Sequence, residues 1–206
     1  MLYYNTITTQ TLELLNNIFQ HDEFSKLRLV GGTSLALQIG HRTSIDIDLF
    51  GNIDINPNNI LDSLSVLGKV QLISLSKSII TCTIDNIKTD IVNYQYPWLE
   101  KALTFDTLTL AHPKDIAAMK LSAITGRGSM KDFIDLYFLL QKYALSEMLE
   151  FYEQKYTDGS KILVLKSLTY FDDADNDVIP KLFDKINWQE IKNEIIHQVK
   201  IFSKNI

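Results

Sequence analysis

LVGGTSLALQIGHRTSIDIDLF, running from Leu29 to Phe50, is the stretch on which the reading of the whole chain turns. Two apolar residues lead into Gly31, Gly32, Thr33 and Ser34. A short apolar-rich helical segment follows, Gly40, His41 and Arg42 make a turn, and a strand then carries Asp46 and Asp48. Paired glycines let the backbone take conformations closed to other residues and let a ligand approach the main chain closely. A helix starting at Thr33 or Ser34 would aim unpaired N–H groups and its positive end at the same spot, which suits a phosphate. Along the strand, Ser44, Asp46 and Asp48 share one face while Ile45, Ile47 and Leu49 take the other. Adjacent carboxylates repel unless a cation neutralises them. Mg2+ takes oxygen ligands from one or two carboxylates and completes its shell with phosphate oxygens and water. A phosphate cradle followed by a carboxylate pair reads as a site for a nucleoside triphosphate.

The glycine pair, thirteen residues, then Asp46-Ile47-Asp48 resembles the signature of the polymerase-beta-like nucleotidyltransferase superfamily. The whole run GGTSLALQIGHRTSIDIDLF is similar, more closely, to the AbiE-type nucleotidyltransferase toxins (the AbiEii/AbiGii-like group) of bacterial abortive-infection and toxin-antitoxin systems. Two later stretches extend the likeness, so that it covers roughly residues 25 to 140.

The 206 residues suffice for one sizeable core, or for a main domain with a helical appendage. A net charge of -5 leaves no overall basic field to draw in nucleic acid, so any RNA contact must come from a local patch. Cys82 is the sole cysteine, which excludes an intrachain disulfide and a cysteine-rich zinc site, and its apolar alternating surroundings mark it as a buried strand residue. The sequence near Met1 lacks a basic region followed by an apolar run, and no apolar stretch reaches membrane-spanning length, so a soluble cytoplasmic protein is expected.

Taken in order, residues 8 to 20 read as an amphipathic helix capped by threonine, Leu27 to Val30 as a buried strand, Thr33 to Ile39 as a helix, and Thr43 to Phe50 as the acidic strand. Pro57 opens a helix that ends at Gly68, and residues 69 to 75 and 78 to 84 alternate as strands. Ile79 to Tyr94 reads as two antiparallel strands turning at Asp85 and Asn86. A loop at Pro97 and Trp98 and an apolar-polar stretch lead to Leu110. Helices are then expected at Ile116 to Thr125, Met130 to about Tyr143 with Ser129 as cap, from Leu145, from Asp158 to Leu168, and after Asn187. The acidic run from Asp172 to Asp177 lacks the glycine and closing glutamate of a calcium loop and reads as a solvated segment.

Three residue groups outside the opening stretch carry chemistry. Lys88, Asp90, Val92 and Tyr94 share one strand face, and a carboxylate in so apolar a strand is expensive to bury without a partner. Lys120 falls among Ile116, Ala117, Met119 and Ile124, where a lone ammonium needs a reason that triphosphate oxygens would supply. On the next helix Phe133, Leu136, Tyr137 and Leu140 form the buried stripe, Asp132 and Asp135 lie one turn apart, and Lys131 can reach Asp135 at i+4. The run DIAAMKLSAITGRGSMKDFIDLYFLL resembles the family's helical pair, in which a lysine and a Lys/Arg-Asp-x-x-Asp motif face the active site.

The resemblance implies an α/β (α+β) fold of the polymerase-beta-like nucleotidyltransferase kind, a small mixed sheet flanked by helices with a helical subdomain after it. The nucleotidyltransferase core would span 1–110, and 111–206 would be a helical subdomain contributing to the active site. Activity would be Mg2+-dependent, with two ions and Mn2+ as an alternative metal, moving a nucleoside monophosphate from NTP to an acceptor and releasing pyrophosphate. Asp46 and Asp48 would bridge the ions, and Asp90, as third carboxylate, would hold the one that activates the acceptor hydroxyl. Gly31, Gly32, Thr33 and Ser34 would hold phosphates. Lys120 would neutralise charge on the pyrophosphate, Arg42, Lys131, Asp132 and Asp135 would shape the pocket, and Arg127 would contact nucleotide or RNA. The family implies a tRNA end as acceptor and a winged-helix antitoxin as partner. Two rival readings are an NTP-binding regulatory module without transfer and an antibiotic-type enzyme acting on a small molecule.

Overall fold

The computed structural model describes residues 1–53 and 56–204. Contacts divide the chain into two units, Met1–Tyr96 with Lys101–Ala111, and Pro97–Glu100 with His112–Ile206. The first unit contains, in order, α1 (Thr9–Phe19), β1 (Arg28–Leu29), α2 (Gly31–Ile39), β2 (Ile47–Gly51), α3 (Pro57–Ser65), β3 (Val70–Leu75), β4 (Ile79–Ile84), β5 (Ile87–Asn93), β6 (Leu103–Phe105) and β7 (Leu108–Leu110). All seven strands join one sheet in the order β3-β4-β5-β2-β1-β7-β6. The β2–β5 and β1–β7 pairs are parallel and the others antiparallel, so the mixed α/β architecture is the one expected.

Alternation of side chains fixes where the acidic strand points. Ile47 and Leu49 of β2 and Thr89 and Ile91 of β5 are fully buried, while Asp48, Lys88 and Asp90 lie between them on the opposite face. A slip of one residue would expose Ile47, Leu49 and Ile91, each worth about 1.5–3 kcal/mol when buried, and would sink the carboxylates into the core. The same core takes Leu14, Leu15 and Ile18 from α1, Leu37 from α2, Ile60 and Leu64 from α3, and Ile80, Cys82 and Ile84 from β4. At the β4–β5 turn Asp85 and Asn86 have φ of 48° and 66°, values that Asn and Asp tolerate better than other side chains.

Local structure departs from the sequence reading in several places; the helix from Pro57 ends at Ser65 rather than Gly68, the one expected from Asp158 begins at Lys161, and four departures say more. Helix α2 begins at Gly31 rather than Thr33, because Val30 is its extended N-cap and the Val30 carbonyl accepts from Ser34 N–H at 3.3 Å. The acidic strand begins at Ile47 rather than Thr43, with Asp46 just before it. The stretch leading to Leu110 is a hairpin, β6 and β7, in which Leu103 faces Leu110 and Asp106 turns the chain at φ 51°. The acidic run is not merely solvated. Asp177 accepts from Met130 N–H at 2.8 Å, while Asp175 accepts from Trp188 Nε1 at 2.6 Å and from Lys192 Nζ at 2.9 Å.

The second unit contains α4 (Pro113–Gly126), α5 (Met130–Leu140), α6 (Leu145–Lys155), α7 (Lys161–Ser167) and α8 (Trp188–Lys204). Its interior includes Ile116, Leu121, Phe133, Ile134, Leu136, Leu139, Met148, Leu149, Val164, Ile191 and Ile195. Residues Pro97–Glu100 belong here for an electrostatic reason. Asp115 accepts from Leu99 N–H at 2.9 Å, Glu100 N–H at 3.2 Å and Lys155 Nζ at 2.6 Å, and Lys155 also donates to the Pro97 carbonyl at 2.7 Å. Both charged side chains are wholly buried, and the ammonium also lies 4.7 Å from the Trp98 ring centroid. Each partner keeps the other's charge compensated, without which neither could remain inside. Among the described residues no helix is long and apolar enough to cross a membrane.

Candidate active site

The site in the first unit is assembled by the backbone of β2 and β5. Parallel register sets Asp48 beside Asp90, and Val30 N–H donates to the Asp48 carbonyl at 2.9 Å, which brings the start of α2 to the same strand. Gly31 has φ of 66°, and a Cβ built there would overlap the Asp48 carboxylate. Glycine is therefore required twice, for its conformation and for the absence of a side chain. Val30, as N-cap, offers no side-chain acceptor to the first-turn N–H groups of α2. A helix start without that cap suits an external anion.

The hydroxyls after the glycine pair have internal duties. Thr33, 1 % exposed, donates to the Asp46 carbonyl, and its oxygen lies 2.8 Å from Ser44 Oγ. It thereby ties the helix start to the backbone of the first acidic residue. Ser34 is fully buried, and its Oγ accepts from Gln38 Nε2 at 3.0 Å. Both hydroxyls are thus engaged within the protein, which leaves main chain as what these two residues could offer a phosphate. Arg42 is also buried, with Nη1 donating to the Thr43 carbonyl at 3.0 Å.

Asp90 is asymmetric. Its Oδ2 accepts from Lys88 Nζ at 2.9 Å, whereas its Oδ1 is buried with no hydrogen-bond partner among the described residues. Burial of an unsatisfied carboxylate oxygen is costly, so its persistence calls for a ligand. The Lys88 ammonium is held above the ordinary lysine pKa by its hydrogen bond to Asp90, against a smaller opposing effect of burial, with the charges of Asp90, Asp48 and Asp46 adding to the rise. Across the hairpin, burial and then the Asp90 charge push the Cys82 thiol up to about 11. No group of three His, Cys, Asp or Glu side chains among the described residues is already gathered as a ligand set. The orphaned Asp90 oxygen and the Asp48–Asp90 register nevertheless fit an oxygen-ligated divalent ion.

The second unit treats its acidic residues differently. Lys120, 5 % exposed, lies 2.9 Å from Asp132 Oδ1 and 2.6 Å from Asp135 Oδ2, and both aspartates are fully buried. Arg127 donates to Asp132 through Nε at 2.9 Å and through its second amino group at 3.2 Å, and Ser129 Oγ donates at 2.7 Å. Burial pushes the Asp132 pKa up, but Lys120 and Arg127 outweigh it and hold the carboxyl well below the usual range. The ammonium in its apolar helix thus has two protein carboxylates as its reason. Asp135 meets Lys120, a partner the i+4 spacing to Lys131 did not announce, and α5 is buried from Asp132 to Leu136 while Lys131 is exposed. Arg127 is the open member of the group, with 71 % of its side chain exposed.

Lys88, which the sequence placed on the strand face of Asp90, was given no role in the site there. Its signal was the i, i+2 spacing to Asp90, which in a strand places a cation and an anion side by side on one face. The Asp115–Lys155 pair gave no such local signal, since forty residues separate its members.

The family model described as "Nucleotidyl transferase AbiEii toxin, Type IV TA system" matches residues 13–105 and 78–202. The chain belongs to the AbiEii nucleotidyl transferase toxin family. This AbiEii-type chain is 35 % identical over 187 residues to an uncharacterised protein of Aquifex aeolicus (strain VF5), covering 86 % of this chain and 88 % of that one. In fold it is similar to a candidate nucleotidyltransferase of H. pylori, with TM-score 0.60, 17 % identity and 96 % of each chain covered. It is also similar to JHP933 of Helicobacter pylori, with TM-score 0.56, 16 % identity, and 97 % and 94 % coverage. Membership makes it a nucleotidyltransferase that uses an NTP, and the toxin component of a toxin-antitoxin pair.

Proposed function

We propose that this toxin transfers a nucleoside monophosphate from a Mg2+-bound NTP to an RNA acceptor, with a tRNA end as the target. The observation that carries the reading is the placement of Asp48 and Asp90 side by side in parallel register, against a glycine that must lack a Cβ. Gly31 and Gly32 would receive phosphate oxygens on main-chain N–H groups, and Asp46, Asp48 and Asp90 would hold the metal. When bound, divalent ions would polarise the transferring phosphate and lower the pKa of the acceptor hydroxyl. Asp90 matters most for the distinction from a simple binding module, since phosphate binding needs the cradle and two carboxylates, while activation of a hydroxyl calls for a third.

The helical pair is proposed to serve the same reaction on the strength of its motif. Asp132 and Asp135 orient Lys120, the expected counter-charge for pyrophosphate, and Arg127 and Lys131 supply exposed positive charge near it in sequence. Arg42 is proposed to shape the nucleotide pocket. A winged-helix antitoxin and a role in abortive infection complete the reading inherited from the family. The test is incubation with each alpha-labelled NTP, Mg2+ and total bacterial RNA, for wild type, Asp48→Ala and Asp90→Ala. Label in an RNA band with wild type alone supports the proposal and names the base. Label in a low-mass acceptor, with RNA unmarked, points to a small-molecule enzyme instead.

A further inference from the structure

The Lys88–Asp90 pair has the geometry of a displaceable plug rather than of a structural ion pair. The Lys88 side chain, a flexible four-carbon stem with its ammonium, is 48 % exposed, while the Asp90 side chain it holds is 19 % exposed with its second oxygen buried and without a hydrogen-bond partner among the described residues. A pair built for stability would satisfy both oxygens, as Asp115 does with Lys155 and two main-chain N–H groups.

We infer that Lys88 competes with a divalent ion for Asp90, so that the ion associated with Asp90 is the weaker-bound one and loads last. Lys88 is then a positioning residue. It keeps the carboxylates aligned in the empty site and leaves Asp90 free of metal until the rest of the site is charged. This inference rests on the carboxylate reading of the site given above.

The test titrates Mn2+, with the free ion read by electron paramagnetic resonance at fixed ionic strength, into the full chain and into Lys88→Met, Lys88→Arg, Asp90→Asn, Asp48→Asn and the Lys88→Met/Asp90→Asn double variant. Competition predicts that Lys88→Met binds the weaker ion at least tenfold more tightly and that Lys88→Arg stays within threefold of wild type. It also predicts that the gain disappears when Asp90→Asn is added to Lys88→Met. Damage to the fold would weaken binding, so a gain in affinity is not a structural artefact. Unchanged or weaker binding in Lys88→Met, with wild-type binding abolished by Asp48→Asn, would overturn the role of Lys88 and leave the metal reading standing. No Mn2+ binding in any of the proteins would overturn both.

Discussion

Two sets of buried or half-buried aspartates in this protein are handled in opposite ways. Asp115, in the helical unit, is fully compensated by an ammonium and two main-chain N–H groups, and nothing about it is left for a ligand. Asp90, in the sheet unit, has one oxygen on a half-exposed lysine and the other without a hydrogen-bond partner among the described residues. The first arrangement holds a fold together; the second stores unfavourable interactions that a bound cation would relieve. A carboxylate's completeness, more than its burial, therefore sets Asp90, the proposed metal ligand, apart from Asp115 of the scaffold.

The sharpest way to test that contrast is to remove a carboxylate from the sheet unit and the compensating cation from the helical unit. Asp48→Ala is expected to lower nucleotidyl transfer on the order of a thousandfold, since about 4 kcal/mol of transition-state stabilisation is a reasonable share for a metal-holding group. Urea unfolding of the same variant should shift by less than about 1 kcal/mol. Lys155→Met should do the reverse, costing about 3–5 kcal/mol of stability by leaving Asp115 charged and buried without its ammonium. A Lys155→Met protein as stable as wild type would break the comparison.

The Lys120 group stands between the two sets, and acid sharpens its place. The folded-state pKa of Asp132 is depressed, so its contribution is fully present above the ordinary Asp value of about 4 and is lost as pH falls through the lowered folded value. The stability gap between wild type and Asp132→Asn, measured by urea unfolding at stepped pH, should narrow as pH drops below about 4. A gap that widens in acid would contradict the assignment. The smallest expected effect concerns Cys82. A thiol pushed up to about 11 and shielded by burial should resist iodoacetamide at pH 8 in the folded protein and react at the ordinary rate in urea. Alkylation at equal rates in both would show that β4 opens readily.

Much of this was legible in the chain because it is local. Period-two alternation put Asp48 opposite Ile47 and Leu49, and the Asp85-Asn86 turn defined the β4–β5 hairpin, but the alternation did not extend back through Ile45, which is exposed ahead of the strand. What escaped depends on distant partners or on side-chain competition. The partners of Asp115 and Lys155, the capping of α5 by Asp177 and the meeting of Lys120 with Asp135 are settled by packing within the helical unit, which no short window contains. The β6–β7 hairpin had the alternation of a strand pair in LTFDTLTL, but its three-residue strands are too short to stand out from a loop.

The decisive measurement is thermal unfolding of Asp90→Asn and Asp115→Asn, each with and without Mg2+ and a non-hydrolysable NTP. Asp90→Asn should melt at or above the wild-type temperature when ligand-free and should lose most of the ligand-induced rise. Asp115→Asn should melt several degrees lower, at roughly 2–4 °C per kcal/mol for a chain of this size, and should keep the rise. If Asp90→Asn instead melts as low as Asp115→Asn and still gains the full ligand-induced rise, then Asp90 belongs to the scaffold and the active-site assignment is wrong.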